Sequence, residues 1–125
     1  MSRAQASVFL SKAEQFNRTM KEAQENEDWD ALGLNAIHCV ISANDALLGS
    51  LYGFRPAGGS HSEAVELLCQ YERDDQAKSN SVRLERMLKK KNLVQYEGRR
   101  LTATEARKLA IDADRFLCWV QDRLI

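Results

Sequence analysis

Arg55 and His61 flank the Gly/Pro-rich stretch of residues 52–60, with five residues between them. Ser60-His61-Ser62-Glu63 fits a capping box, serine at the N-cap and glutamate at N3, so His61 is expected to open a helix. Free backbone N–H groups at a helix start favour an anion. An arginine nearby adds five fixed donors that suit a phosphate. An imidazole that titrates near neutrality can move a proton at that phosphate. These are parts enough for metal-free RNA cleavage, in which a ribose 2′-OH attacks the adjacent phosphorus. The same spacing also fits an N1 histidine and a loop arginine ion-paired to an acid, and both readings stand at this point.

A second constellation lies upstream. Asn35, His38, Ser42 and Asp45 are spaced 3, 4 and 3, within an arc of roughly 80° on a helix. The segment that carries them, residues 32–51, is apolar nearly all round. Polar groups buried on such a helix need hydrogen-bond partners. The stripe is read either as a buried network or subunit-facing strip, or as one wall of a polar site. Other chemistry is excluded by missing parts. The chain has no GxGxxG or GxxxxGK[ST] phosphate loop, no HExxH, no GxSxG, and two histidines are too few for most metal sites. No metal and no cofactor are expected.

Apolar periodicity supplies the elements that must position these residues. Phe9, Ala13, Phe16, Met20 and Ala23 make a one-face stripe on a first helix over residues 4–25. Asp28 or Asp30 can cap the second, with Trp29 just before it. That second helix has few charges and no Gly or Pro between residues 35 and 48, and it should be the central strut, ending near residues 49–53. Asn35, His38, Asn44 and Asp45 inside it argue against a membrane span. A short third helix follows Ser60. A fourth, strongly basic toward its end, runs to about Lys91. Leu93-Val-Gln-Tyr96 is expected to be a brief extended piece. Thr102-Ala-Thr-Glu105 is a capping box for a last helix, with Ala106, Leu109, Ala110, Ala113, Phe116, Leu117, Val120 and Leu124 on its buried face. The expected fold is all-α, an up-and-down bundle of four long helices plus one short helix, in one domain over residues 1–125.

Cys39, Cys69 and Cys118 have no metal or redox spacing and are expected as reduced core thiols. The first sixteen residues hold no long apolar run and no cleavage site, so a cytoplasmic protein is expected. The formal net charge is zero, but residues 1–77 carry 6 Lys+Arg against 12 Asp+Glu while residues 78–125 carry 12 against 6. Such a division is read first as complementary charge between packed or paired surfaces. Basic residues 83–91 lie on one helix without helix-turn-helix spacing, which disfavours sequence-specific DNA binding.

Three stretches resemble the HEPN domain family of small helical bundles. They are residues 30–48 (DALGLNAIHCVISANDALL), residues 55–68 (RPAGGSHSEAVELL) and residues 84–109 (LERMLKKKNLVQYEGRRLTATEARKL). With the amphipathic first helix, the resemblance covers nearly the whole chain. It implies a bundle of four to five helices, commonly a homodimer. Many members are metal-independent endoribonucleases of toxin or defence type that use Arg-x(4–6)-His at the dimer cleft. Carried over, Arg55 would hold the scissile phosphate, His61 would act as acid/base or orient the 2′-OH, and Asp45 could orient either. RNA is then the substrate class. Other members lack nuclease activity and serve as interaction or nucleotide-binding modules, or partner a nucleotidyltransferase in a toxin–antitoxin pair. Pro56 follows the arginine here, where the nucleases commonly place a polar residue, often Asn.

Overall fold

The computed structural model describes residues 2–53 and 61–125, with the backbone alone for His61 and Ser62. Arg55 and the expected cap Ser60 lie outside the described residues. The chain is an all-α helical bundle with no strand among the described residues: α1 (Arg3–Glu25), α2 (Trp29–Tyr52), α3 (His61–Tyr71), α4 (Asp75–Lys89), α5 (Lys91–Tyr96) and α6 (Ala103–Arg123).

Local chemistry sets the ends of these helices. Ser2 and Gln5 form a capping box at α1, Gln5 N donating to Ser2 Oγ at 3.2 Å and Ser2 N to Gln5 Oε1 at 2.9 Å. The box expected at Thr102 and Glu105 opens α6. Asp74 caps α4 by accepting from Ala77 N at 2.8 Å. Caps of this kind are each worth about 1 kcal/mol. Asp28 does sit at the N-cap of α2, but its side chain makes no capping bond. Trp29 is the first residue of α2 rather than the residue before it, and the Arg107 guanidinium lies 4.7 Å over its ring. Asp30 reaches across the bundle, its carboxylate accepting from Leu101 N at 2.8 Å. The end of α2 is set by Gly53, whose φ of 78° is left-handed and whose N–H donates to Gly49 O.

Cross-ties fix the directions of the helices. Gln121 donates to Glu14, and Asn17 to Asp114, so α1 and α6 run antiparallel. Arg86 on Asp112 and Arg123 on Asp74 make α4 antiparallel to α6 as well. The Asp30 tie at one end and the Tyr52–Glu72–Arg123 contacts at the other make α2 and α6 parallel. α2 is the central strut: Leu32, Ala36, Ile37, Val40, Ala43, Leu47 and Leu48 are fully buried. α1 and α6 provide most of its cover. Gly33 lets α6 and the loop before it come close, since a Cβ there would run into the Leu101 side chain and press on Leu109. α2 has the length and hydropathy of a membrane span, but most of that surface faces the bundle interior.

Two expectations about residue placement are corrected. Residues 93–96 are helical, not extended. Lys90 interrupts the helix for one residue, then its carbonyl accepts from Val94 N at 3.1 Å, and Leu93 and Val94 pack against the core as one turn and a half of helix. The helical segments therefore number six among the described residues rather than five. Cys39 is buried as expected, but Cys69 and Cys118 are exposed. Their sequence neighbours Leu68, Leu117 and Trp119 are buried, and a step of about 100° per residue turns each thiol outward.

Burial pushes the Cys39 thiol up to about 12, with Asp114 adding to it. The Cys118 thiol, although exposed, is also raised, by partial desolvation against its neighbours first and by Asp114 and Asp122 after it. The thiolate is the reactive form. In native protein near neutral pH, a disulfide reagent should therefore titrate Cys69 and Cys118 and leave Cys39 untouched until denaturant is added. Titration of all the thiols without denaturant would contradict this packing.

Candidate functional site

The helix carrying His61 is positioned from its far end. Glu72 to Asp74 form the short link between α3 and α4, which pack on each other as a helical hairpin. That link is clamped. Glu72 is only 4 % exposed, yet it is a carboxylate. Arg123 reaches it with two bonds, Nε to Oε1 at 2.8 Å and Nη2 to Oε2 at 2.6 Å. Tyr52 OH donates to Oε2 at 3.0 Å and lies 2.9 Å from the Tyr71 carbonyl. The Tyr52 and Tyr71 rings stack at 4.7 Å. Burial, and then the Glu72 carboxylate, raise the Tyr52 phenol, while the same carboxylate raises the Arg123 guanidinium. Four segments thus meet at one buried carboxylate: the ends of α2, α3 and α6 and the start of α4.

This junction sets heights along the bundle. Both α2 and α3 run into it. Asp45 is seven residues before Tyr52, about 10 Å back along α2; His61 is ten before Tyr71, about 15 Å back along α3. The hairpin makes α3 antiparallel to α4, so the N-terminus of α3 points toward the end of α4 that carries Arg86, Lys89, Lys90 and Lys91. The helix start with His61, the level of Asp45 and the basic end of α4 therefore lie on the same side of the junction. Arg55 falls in the stretch outside the described residues.

The polar stripe of α2 is not one deeply buried network. Ser42 is buried, whereas Asn35, His38 and Asp45 are half-buried. Asn35 donates to its own helix, Nδ2 to Ala31 O at 2.8 Å. The His38 ring packs on Phe16 with centroids 5.4 Å apart. Burial, and then Lys91 of α5, push its imidazole below the usual histidine range, so it is neutral at pH 7. Asp45 is engaged with a neighbour. With Leu34 and Ile41, these side chains form a half-open strip along α2. The polar residue of α2 that is buried most is Asn44, 2 % exposed, with its Oδ1 left without a hydrogen-bond partner among the described residues. Asn44 is nine residues from Asn35, on the opposite face of the helix at about 100° per residue, and so falls outside the expected stripe. Tyr52, Glu72 and Arg123 were hidden, since Glu72 sits in a polar run that reads as a connection and its partner is 51 residues further on.

The basic end of the bundle is partly neutralised. Arg86 grips Asp112 at 2.9 Å, with Arg83 at 3.7 Å from the same carboxylate. Arg99 grips Glu105 through both guanidinium nitrogens at 3.0 and 2.9 Å. Arg99, and then the Thr102 backbone, hold the Glu105 carboxyl down at about 2, against an ordinary 4.5. A group depressed on folding loses its contribution as pH falls through that window, so this α6 cap should weaken between about 4.5 and about 2. Carboxyl chemical shifts should show Glu105 titrating near 2, and Arg99→Ala should move the midpoint toward 4.5. A wild-type midpoint already near 4.5 would refute the pairing in solution.

Among the described residues, no three His, Cys, Asp or Glu side chains converge as a metal site. A scan against protein-family models finds no match, and no curated protein matches the chain.

Proposed function

We propose that this bundle is a HEPN-like domain and a metal-independent endoribonuclease of toxin or defence type, acting as a cytoplasmic homodimer. The resemblance of residues 30–48, 55–68 and 84–109 motivates the family. The observation that carries the reading is the placement of α3. The start of α3 is directed toward the basic end of α4 and lies on the same side of the junction as Asp45, about 5 Å further along the bundle. An RNA backbone drawn to that basic end would lie beside the helix start, where backbone N–H groups favour phosphate.

In this reading Arg55 holds the scissile phosphate. His61 takes the 2′-OH proton or orients that hydroxyl, and Asp45 orients His61 or Arg55. The 2′-oxygen bonds to phosphorus, the bond to the 5′-oxygen breaks, and a proton goes to the departing 5′-oxygen. The products are a 2′,3′-cyclic phosphate and a 5′-hydroxyl. The half-open strip of α2, with Leu34, His38 and Ile41, is the surface we assign to the homodimer. Cleavage of RNA in EDTA by the wild type, lost in both Arg55→Ala and His61→Ala, tests the assignment. Cleavage that survives in either variant overturns it.

The same strip favours a second reading, a non-catalytic HEPN module that pairs with another protein such as a nucleotidyltransferase or an antitoxin. Pro56, in the place where the nucleases commonly carry a polar residue, points the same way. Here His61→Ala leaves partner binding intact, while Asp45→Leu disturbs folding or dimerisation.

A further inference from the structure

A groove of about 540 Å³ runs between α4 and α6, within the size range of small-ligand sites. The ties of Arg123 to Asp74 and of Arg86 to Asp112 set the register of its two walls. Asp75 on α4 therefore stands opposite Asp122 on α6, at the end nearest the junction. Arg115 comes two turns earlier on α6, about 10 Å away. Cys118 and Trp119 lie between these ends, and Gln76 and Ser79 bring an amide and a hydroxyl from the facing wall.

The charges at the two ends are not matched within the groove. Arg83 and Asp114 also line it, but Arg83 is held by Asn80 and Asp112, and Asp114 by Asn17 and Lys21. Among the described residues, no cation lies within 4 Å of the Asp75 or Asp122 carboxylate, and no carboxylate within 4 Å of the Arg115 guanidinium. The groove is thus bipolar, with two negative charges at one end and one positive charge at the other. Trp119 is 6 % exposed, and its Nε1, closed off from water, has no acceptor among the described residues. A buried indole N–H ordinarily finds one. A ligand that suits all three features carries a cation at one end, an anion about 10 Å away and a hydrogen-bond acceptor between them.

We propose that this groove binds a free, extended peptide of about three residues, its terminal ammonium at Asp75 and Asp122 and its terminal carboxylate on Arg115. Three extended residues span at most about 10–11 Å, which matches two turns of α6. A carboxylate takes two parallel bonds from a guanidinium, and an ammonium sits well between two carboxylates. The peptide amides meet Gln76 and Ser79. One of its carbonyls accepts from Trp119 Nε1 once the side chains covering the indole move aside. A polyamine would leave Arg115 unmatched, and a single amino acid is too short to reach both ends. The site uses neither Arg55 nor His61 and stands whether or not the chain cleaves RNA.

The probe is trialanine, titrated by calorimetry into the full chain at low salt, beside N-acetyl-trialanine, trialanine amide and alanine. Asp75→Asn/Asp122→Asn removes the acidic end and Arg115→Gln the basic end. A control, Glu22→Gln/Glu25→Gln, removes two exposed acids from α1. The site predicts saturable binding of trialanine that either blocking group, or either groove variant, weakens by at least about fivefold and the control by less than about twofold. The losses should pair end by end: acetylation costs nothing further in the aspartate variant, and amidation nothing further in Arg115→Gln. The blocked peptides test both ends on the wild type, so the outcome does not depend on any variant folding. The Trp119 indole N–H resonance, assigned by its absence in Trp119→Phe, should move downfield on binding. The proposal is overturned by absence of saturation below about 10 mM, by alanine or either blocked peptide binding as tightly as trialanine, by equal weakening in the groove and control variants, or by an indole resonance that stays in place.

Discussion

Arg123→Met lowers the melting temperature by roughly 10 °C. The variant keeps most of the aliphatic volume of the side chain but leaves Glu72 buried and without its cation. Breaking a buried pair from one side costs about 3–5 kcal/mol when both partners are enclosed. Glu72 is 4 % exposed, but the Arg123 side chain is 36 % exposed, so solvent screens part of the loss. About 2–3 kcal/mol is the expected cost. A domain of this size shifts by roughly 4 °C per kcal/mol. Tyr52 OH still donates to Glu72 in the variant, and one neutral donor does not replace two charge-assisted bonds. The double variant Glu72→Leu/Arg123→Met removes both charges and should recover most of the loss. Thermal unfolding of the three proteins decides it. A single variant as mild as Lys89→Ala, whose ion pair with Glu85 is exposed, would show that the four-way junction carries little load.

The second large effect is catalytic. Replacing a general acid/base histidine typically costs 10²–10⁴-fold in rate. His61→Ala should therefore slow RNA cleavage by at least about a hundredfold. On the proposed ribonuclease reading, Arg55→Ala would remove the cation assigned to the phosphorane-like transition state and should cost about as much or more. The junction makes a further demand. Because Tyr52, Glu72 and Arg123 hold the far end of α3, Arg123→Met should also reduce cleavage, in proportion to the fraction of protein unfolded at the assay temperature.

Much of the architecture was legible because it rests on local rules. The stripe from Ala106 to Leu124 repeats every three or four residues, and Thr102 and Glu105 announce its start, so α6 emerges with its boundaries. α2 was legible as the strut from its lack of charge. Its buried side was harder to read. The stripe of Asn35, His38, Ser42 and Asp45 marks one face in the sequence, but the placement of α1 and α6 is what shows that Asn44 is enclosed while Asn35, His38 and Asp45 line an open strip. Residues 93–96 misled because Leu-Val-Gln-Tyr has the composition of a short strand; packing of Leu93 and Val94 on the core decides for helix. The cysteines misled because apolar neighbours in sequence are not neighbours on a helix face. Glu72 was invisible as a core residue, since no local pattern pairs a carboxylate in a polar link with an arginine at the far end of the chain.

The candidate site divides in the same way. Arg-x5-His and the capping box are local signals, and the structure opens α3 at His61. That the start of α3 lies on the same side of the junction as Asp45 and the basic end of α4 follows from the hairpin and the junction, which are tertiary.

The measurement that tests the central claim most directly is end-group analysis of RNA incubated in EDTA with wild type, Arg55→Ala and His61→Ala, each first shown to unfold at the wild-type temperature. The account predicts 2′,3′-cyclic phosphate and 5′-hydroxyl ends from the wild type and neither from the two variants. Intact RNA after incubation with the wild type over a broad panel of sequences, or the same ends from all three proteins, would contradict it.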